Sequence, residues 1–186
     1  MGYAGGTSKN PTYHNLDGHT ESIQLDFDPN KVTFQELLDI FWQSHDPFVQ
    51  VPYRQYMSII FYHDKEQKRL ALESKKRLED QKKRRIYTEI RPADHFTLAE
   101  GYHQKFYLSK APDILQEFRM IYPKLRDFVD STAAARVNGY LGGNGDAVSL
   151  RQDLPGLGLS PRAQKRLWNI AQGFNPTGEA CPIPGV

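Results

Sequence analysis

The sequence predicts an α+β fold, a two-layer sandwich with helices packed on one small mixed sheet and a helical carboxyl-terminal extension. Three observations predict it. Residues 22–27 alternate, with Ile23, Leu25 and Phe27 on one face and Gln24 and Asp26 on the other, the period of a half-buried strand. Residues 56–62 (YMSIIFY) are rich enough in β-branched and aromatic side chains to form a buried strand, and residues 86–91 read as a third. Two helical segments separate these runs, giving the order strand, helix, strand, helix, strand.

The helices carry their own start signals. Thr33 with Glu36 forms a capping box, after which Phe34, Leu37, Leu38, Phe41 and Trp42 share one helical face and should lie in the core. Asp64 with Gln67 opens a long helix to about residue 85, on which Leu70, Leu72 and Leu78 are the sparse apolar positions. Its basic run, residues 75–85, is interspersed with Glu79 and Asp80 and has no aromatic platform beside it, so it reads as a solvated face and not as a nucleic-acid site. A short helix is expected over residues 99–108, then helices over 112–122 and 124–136, the last closing at Asn138-Gly139. A glycine-rich link, residues 139–145, follows, and Ser160-Pro161 opens a final helix with an N-cap and proline at its first position. Residues 173–186 lack periodicity and read as a mobile tail.

Composition narrows the function classes. A chain of 186 residues can bury a core, and 24 basic against 22 acidic residues leave a formal charge of +2, too little for a global field that attracts nucleic acid or a membrane surface. A single cysteine, Cys181, excludes an intrachain disulfide and a cysteine-based zinc site. Low cysteine use suits a reducing compartment, so a soluble, cytoplasmic protein is expected, with no run of about 18 apolar residues to span a bilayer. His19, His45 and His103 lack metal-ligand spacing and read as structural hydrogen-bonding residues; no metal or cofactor is expected.

Chemistry concentrates near the amino end. Residues 1–21 are punctuated by Gly2, Gly5, Gly6, Pro11, Asn15, Asp17 and Gly18, and residues 11–21 (PTYHNLDGHTE) place a phenol, two imidazoles and two carboxyl groups in one loop. Loops held on a rigid scaffold often carry function.

Taken in order, Gly2-Tyr3-Ala4-Gly5-Gly6, Asn10-Pro11-Thr12-Tyr13, Gly18-His19-Thr20-Glu21, Asp28-Pro29, Phe41-Trp42 with His45-Asp46-Pro47, Tyr56-Met57-Ser58 and Ala99-Glu100-Gly101-Tyr102-His103-Gln104 resemble the peptide methionine sulfoxide reductase A family. Asn138-Gly139-Tyr140 in a helical extension is similar to a longer branch of it. The resemblance implies a ferredoxin-like related sandwich, with a reductase-like domain over residues 1–110, a helical extension over 111–172 and the tail over 173–186.

It also implies a chemistry, the reduction of the S epimer of methionine sulfoxide, free or in proteins. A cysteine in a Gly-Cys-Phe-Trp motif attacks the sulfoxide sulfur while the oxygen is protonated, because oxide is a poor leaving group. By resemblance Glu21 is the acid at that oxygen, Tyr13 and Tyr56 are buried phenols donating hydrogen bonds to it, Cys181 lies where the family keeps a resolving thiol, and thioredoxin is the reductant. In the family the cysteine motif precedes the Gly-Tyr-Ala-Gly-Gly block, which here begins at Gly2; the expectation is that this strand, helix and nucleophile are missing and that the chain alone is inactive. Residues 49–54 (VQVPYR) also depart from the family's common Gly-Asn-Asp, which puts an aspartate role in doubt. The alternative is a non-catalytic module that binds methionine sulfoxide or a partner.

Overall fold

In the computed structural model, residues 1–174 are described. The chain divides into two compact units, Met1–Glu100 and Gly101–Val186. The first contains β1 (Gly2–Ala4), β2 (Thr20–Ser22), α1 (Phe34–Gln43), β3 (Ile59–Tyr62), α2 (Lys65–Lys82), β4 (Glu89–Pro92) and β5 (Phe96–Leu98). The second contains α3 (Phe106–Ser109), α4 (Pro112–Ile121), α5 (Leu125–Asp130), α6 (Thr132–Leu141), α7 (Ala147–Asp153) and α8 (Pro161–Phe174). The α+β class expected from the sequence is therefore the class observed.

β1 organises the first sheet. It pairs antiparallel with β2, Gly2 opposite Ser22 and Ala4 opposite Thr20, and with β5, Gly2 opposite Leu98 and Ala4 opposite Phe96. The strand expected over residues 22–27 is thus confined to Thr20–Ser22. β1 holds β2 in register from Thr20 to Ser22, and Ile23 and Leu25 beyond it are exposed.

β3 and β4 form a separate parallel pair, Ile60 opposite Ile90, and α2 supplies the crossover that a parallel connection requires. α1 and α2 pack together over this pair, enclosing Leu38, Trp42, Ile60, Ala71 and Ile86. The capping box is present: the Thr33 hydroxyl accepts from the Glu36 N–H at 3.2 Å and the Glu36 carboxylate accepts from the Thr33 N–H at 2.7 Å. On α2 the buried positions are the small Ala71 and Ser74, and Ser74 Oγ accepts a 3.0 Å hydrogen bond from the Trp42 indole. Leu70 and Leu78 pack, partly buried, against the same core, and the outer face of α2 is solvated, with Arg69 paired to Glu66 and Glu73.

The second unit is a helical cluster around Ile114, Phe118, Val137, Leu150 and Leu167, each no more than 1 % exposed. The helix expected over residues 124–136 is two helices, because Ser131 leaves the helical path to cap α6, its side chain accepting from the Ala134 N–H. α6 then runs through Gly139 to Leu141, past the expected stop. Gly142 provides the cap, with Gly143 following at φ 78°. The Ser160 hydroxyl caps the start of α8 at the Ala163 N–H, as the Ser-Pro signal predicts. No described helix is long and apolar enough to cross a membrane.

Candidate functional site

The loop from Gly5 to His19 is held by close backbone approaches. Gly5 adopts φ 80° against the Phe61 ring, a conformation that favours glycine. At Gly6 an added Cβ would lie 2.3 Å from the His19 ring and 2.5 Å from the His19 backbone nitrogen. His19 itself is 1 % exposed, and its Nε2–H donates to the Ser8 carbonyl at 3.0 Å. Gly6→Ala is therefore expected to destabilise the first unit by about 1–3 kcal/mol, the usual range for forcing extra volume into a packed site. Urea denaturation checks this; the reference is Gly139→Ala, whose Cβ meets nothing within 4 Å.

Tyr13 stands at the tip of a tight turn. Thr12 and Asn15 exchange reciprocal backbone hydrogen bonds of 3.1 and 3.0 Å, leaving Tyr13 and His14 as the two turn residues with their rings edge to face. The Tyr13 N–H donates to Glu100 Oε1 at 3.1 Å.

Glu21 is on β2, beside the short 3-10 turn Arg54–Tyr56. Two hydrogen bonds join them: Thr20 Oγ1 donates to the Arg54 carbonyl at 3.0 Å, and the Gln55 side-chain amide donates to Glu21 Oε1 at 2.7 Å. Arg54 extends the connection, donating to the Gly18 carbonyl at 3.3 Å and pairing with Glu89 on β4 at 3.2 Å. The carboxylate of Glu21 thereby reaches the residue next to Tyr56, which sequence separation alone does not reveal.

The phenols expected to be buried are not. Tyr13 is 40 % and Tyr56 56 % exposed, since both sit on turns and not on a strand face covered by a helix. Cys181 lies outside the described residues.

His45 plays the structural part expected of it. Its Nδ1–H donates to the Phe41 carbonyl at 2.9 Å, Nε2 accepts from the Ser58 hydroxyl at 2.8 Å, and Ser58 Oγ lies 2.9 Å from Thr88 Oγ1. This network ties the end of α1 to the start of β3. Among the described residues no group of three or more His, Cys, Asp or Glu side chains converges on a point that could hold a metal.

Several residues of the site carry no sequence signal strong enough to single them out. Gln55 and Arg54 act through the neighbours of a quoted motif, and Tyr3 and Glu100 lie inside quoted motifs without a role attached to them.

A family model described as peptide methionine sulfoxide reductase matches residues 1–137. A peptide methionine sulfoxide reductase of Drosophila melanogaster is 42 % identical over 185 residues, covering 97 % of this chain and 73 % of that protein. Another, from Methanothermobacter thermautotrophicus, is 47 % identical over 123 residues, covering 60 % of this chain and 72 % of its own. Among solved structures, Mxr1 from Saccharomyces cerevisiae in reduced form is similar with a TM-score of 0.53 at 30 % sequence identity, over 60 % of this chain and 69 % of that one.

Proposed function

The chain belongs to the peptide methionine sulfoxide reductase family, and on that premise we propose that residues 1–110 carry the oxygen-recognising side of its pocket. Glu21 is the acid at the sulfoxide oxygen, and Tyr13 and Tyr56 are hydrogen-bond donors to it. The observation that supports this reading most directly is the 2.7 Å hydrogen bond from Gln55 to Glu21, which links the proposed acid to the turn bearing Tyr56. Residues 111–172 serve as a helical extension, and a cytoplasmic location fits the low cysteine content.

The full reaction needs a thiolate. It forms a bond to the sulfoxide sulfur, the protonated oxygen ends as a cysteine sulfenic acid, and methionine leaves reduced. A second thiol then condenses with the sulfenic acid, releasing water and leaving a disulfide for a dithiol such as thioredoxin to open. The 186 residues hold one cysteine, Cys181, and no Gly-Cys-Phe-Trp sequence. The second reading follows from that count: by itself the chain binds methionine sulfoxide without reducing it. Cys181 is suited to the resolving step, in which its thiol would attack a sulfenic acid already formed on another cysteine and water would leave.

Calorimetric titration with a peptide containing methionine sulfoxide tests the binding half. Saturable binding is expected, weakened about tenfold by Glu21→Ala, the scale of a lost hydrogen bond to a charged group. A folded protein that shows no saturable binding overturns the assignment.

A further inference from the structure

Glu100 lies at the end of the first unit, just after β5. Its carboxylate reaches two places far apart in sequence. Oε2 accepts from the Tyr3 hydroxyl at 2.6 Å, across 97 residues, and Oε1 accepts from the Tyr13 N–H at 3.1 Å, across 87 residues. Tyr3 is a central residue of β1 and only 1 % exposed, so one end of this connection is anchored in the sheet. The other end is the exposed turn that presents the Tyr13 phenol.

We propose that Glu100 is a positioning residue for Tyr13: its carboxylate couples the turn at Thr12–Asn15 to the buried Tyr3 and so fixes the direction in which the Tyr13 phenol meets its ligand. The proposal rests on the reading of Tyr13 as a donor to a sulfoxide oxygen. The chemistry suits the task. A carboxylate accepts only, and its two oxygens can hold a backbone N–H and a phenol O–H at once, both as charge-assisted bonds. A glutamine can preserve the geometry in another way, its amide oxygen accepting from the Tyr13 N–H while its NH2 donates to the Tyr3 oxygen. Alanine preserves neither bond, and aspartate is one methylene short of spanning both partners.

Two measurements on the full chain separate this proposal from the functional reading beneath it. Amide hydrogen exchange at Tyr13 involves no ligand: Glu100→Ala is expected to accelerate it about tenfold, with Glu100→Gln close to the parent. Titration with a methionine sulfoxide peptide then reads the consequence. Glu100→Ala should weaken binding about tenfold, Glu100→Gln should restore most of it, and Glu100→Ala should add nothing in a Tyr13→Phe background, because a positioning residue acts through the group that it positions. Unchanged Tyr13 exchange in a folded Glu100→Ala variant overturns the proposal whatever the binding result. Additive losses of Glu100→Ala and Tyr13→Phe overturn it as well, since they mean that Glu100 acts independently of Tyr13. If the parent chain binds no sulfoxide peptide, the functional reading fails and the exchange result still decides the structural coupling.

Discussion

Incubated with a methionine sulfoxide peptide and dithiothreitol, the 186-residue chain is expected to yield no methionine above the rate with dithiothreitol alone. The sulfoxide sulfur must receive an electron pair from a nucleophile while its oxygen is protonated. The proposed acid and phenols serve only the second requirement. Loss of a nucleophile lowers turnover by several orders of magnitude even when its neighbours remain, about 10⁶-fold in a well-measured protease. A cysteine-bearing relative assayed beside the chain provides the scale. Turnover approaching that of the relative sinks the prediction, and its disappearance in Cys181→Ser would then assign the attack to Cys181.

Phe118→Ala is expected to destabilise the helical unit by about 3–5 kcal/mol, the range for removing an aromatic ring from a closed core. Phe118 is fully buried, at 0 % exposure, with its ring stacked on Tyr122 at 6.3 Å and surrounded by the cluster of α4, α6, α7 and α8. Met120, on the same helix, is 69 % exposed. Met120→Ala should therefore stay within about 0.5 kcal/mol of the parent, as surface changes usually do. Guanidinium denaturation followed by far-ultraviolet circular dichroism gives both values. Equal midpoints for the two variants would show that the core does not close around Phe118.

The fold was legible where its signals are local. Thr33 with Glu36, Asp64 with Gln67 and Ser160 before Pro161 all mark helix starts in the structure, because a cap is a bond between residues three positions apart. The three-residue strands β1 and β5 left no such trace. Each exists only through pairing with a distant segment, and three residues are too few to show a period. α2 displays a related blindness: its fully buried positions are Ala71 and Ser74, which do not register as an apolar stripe, while Leu70 and Leu78 are only partly buried against the core and Leu72 is 48 % exposed. Seating the large Trp42 ring against α2 requires small residues opposite it.

The candidate site was legible in the same divided way. Tyr13, Glu21 and Tyr56 stand out through the ordered motifs around them. Gln55 lies outside those motifs, and Glu100 lies inside one that attaches no role to it, since their contacts join segments separated by 34 and 87 residues. Nor could the sequence foretell that Tyr13 and Tyr56 stay exposed, because exposure depends on which elements cover a turn.

The anchoring of the amino-terminal loop on Glu100 has a consequence for biosynthesis. Chains emerge from the ribosome at about 5–20 residues per second, so the 87 residues from Tyr13 to its anchor take roughly 4–17 s to make. For most of that interval the loop has been synthesised but has neither β5 to complete its sheet nor the carboxylate that holds its turn. The loop, although it precedes β5 and Glu100 in the sequence, is thus among the last parts of the first unit to acquire its final shape.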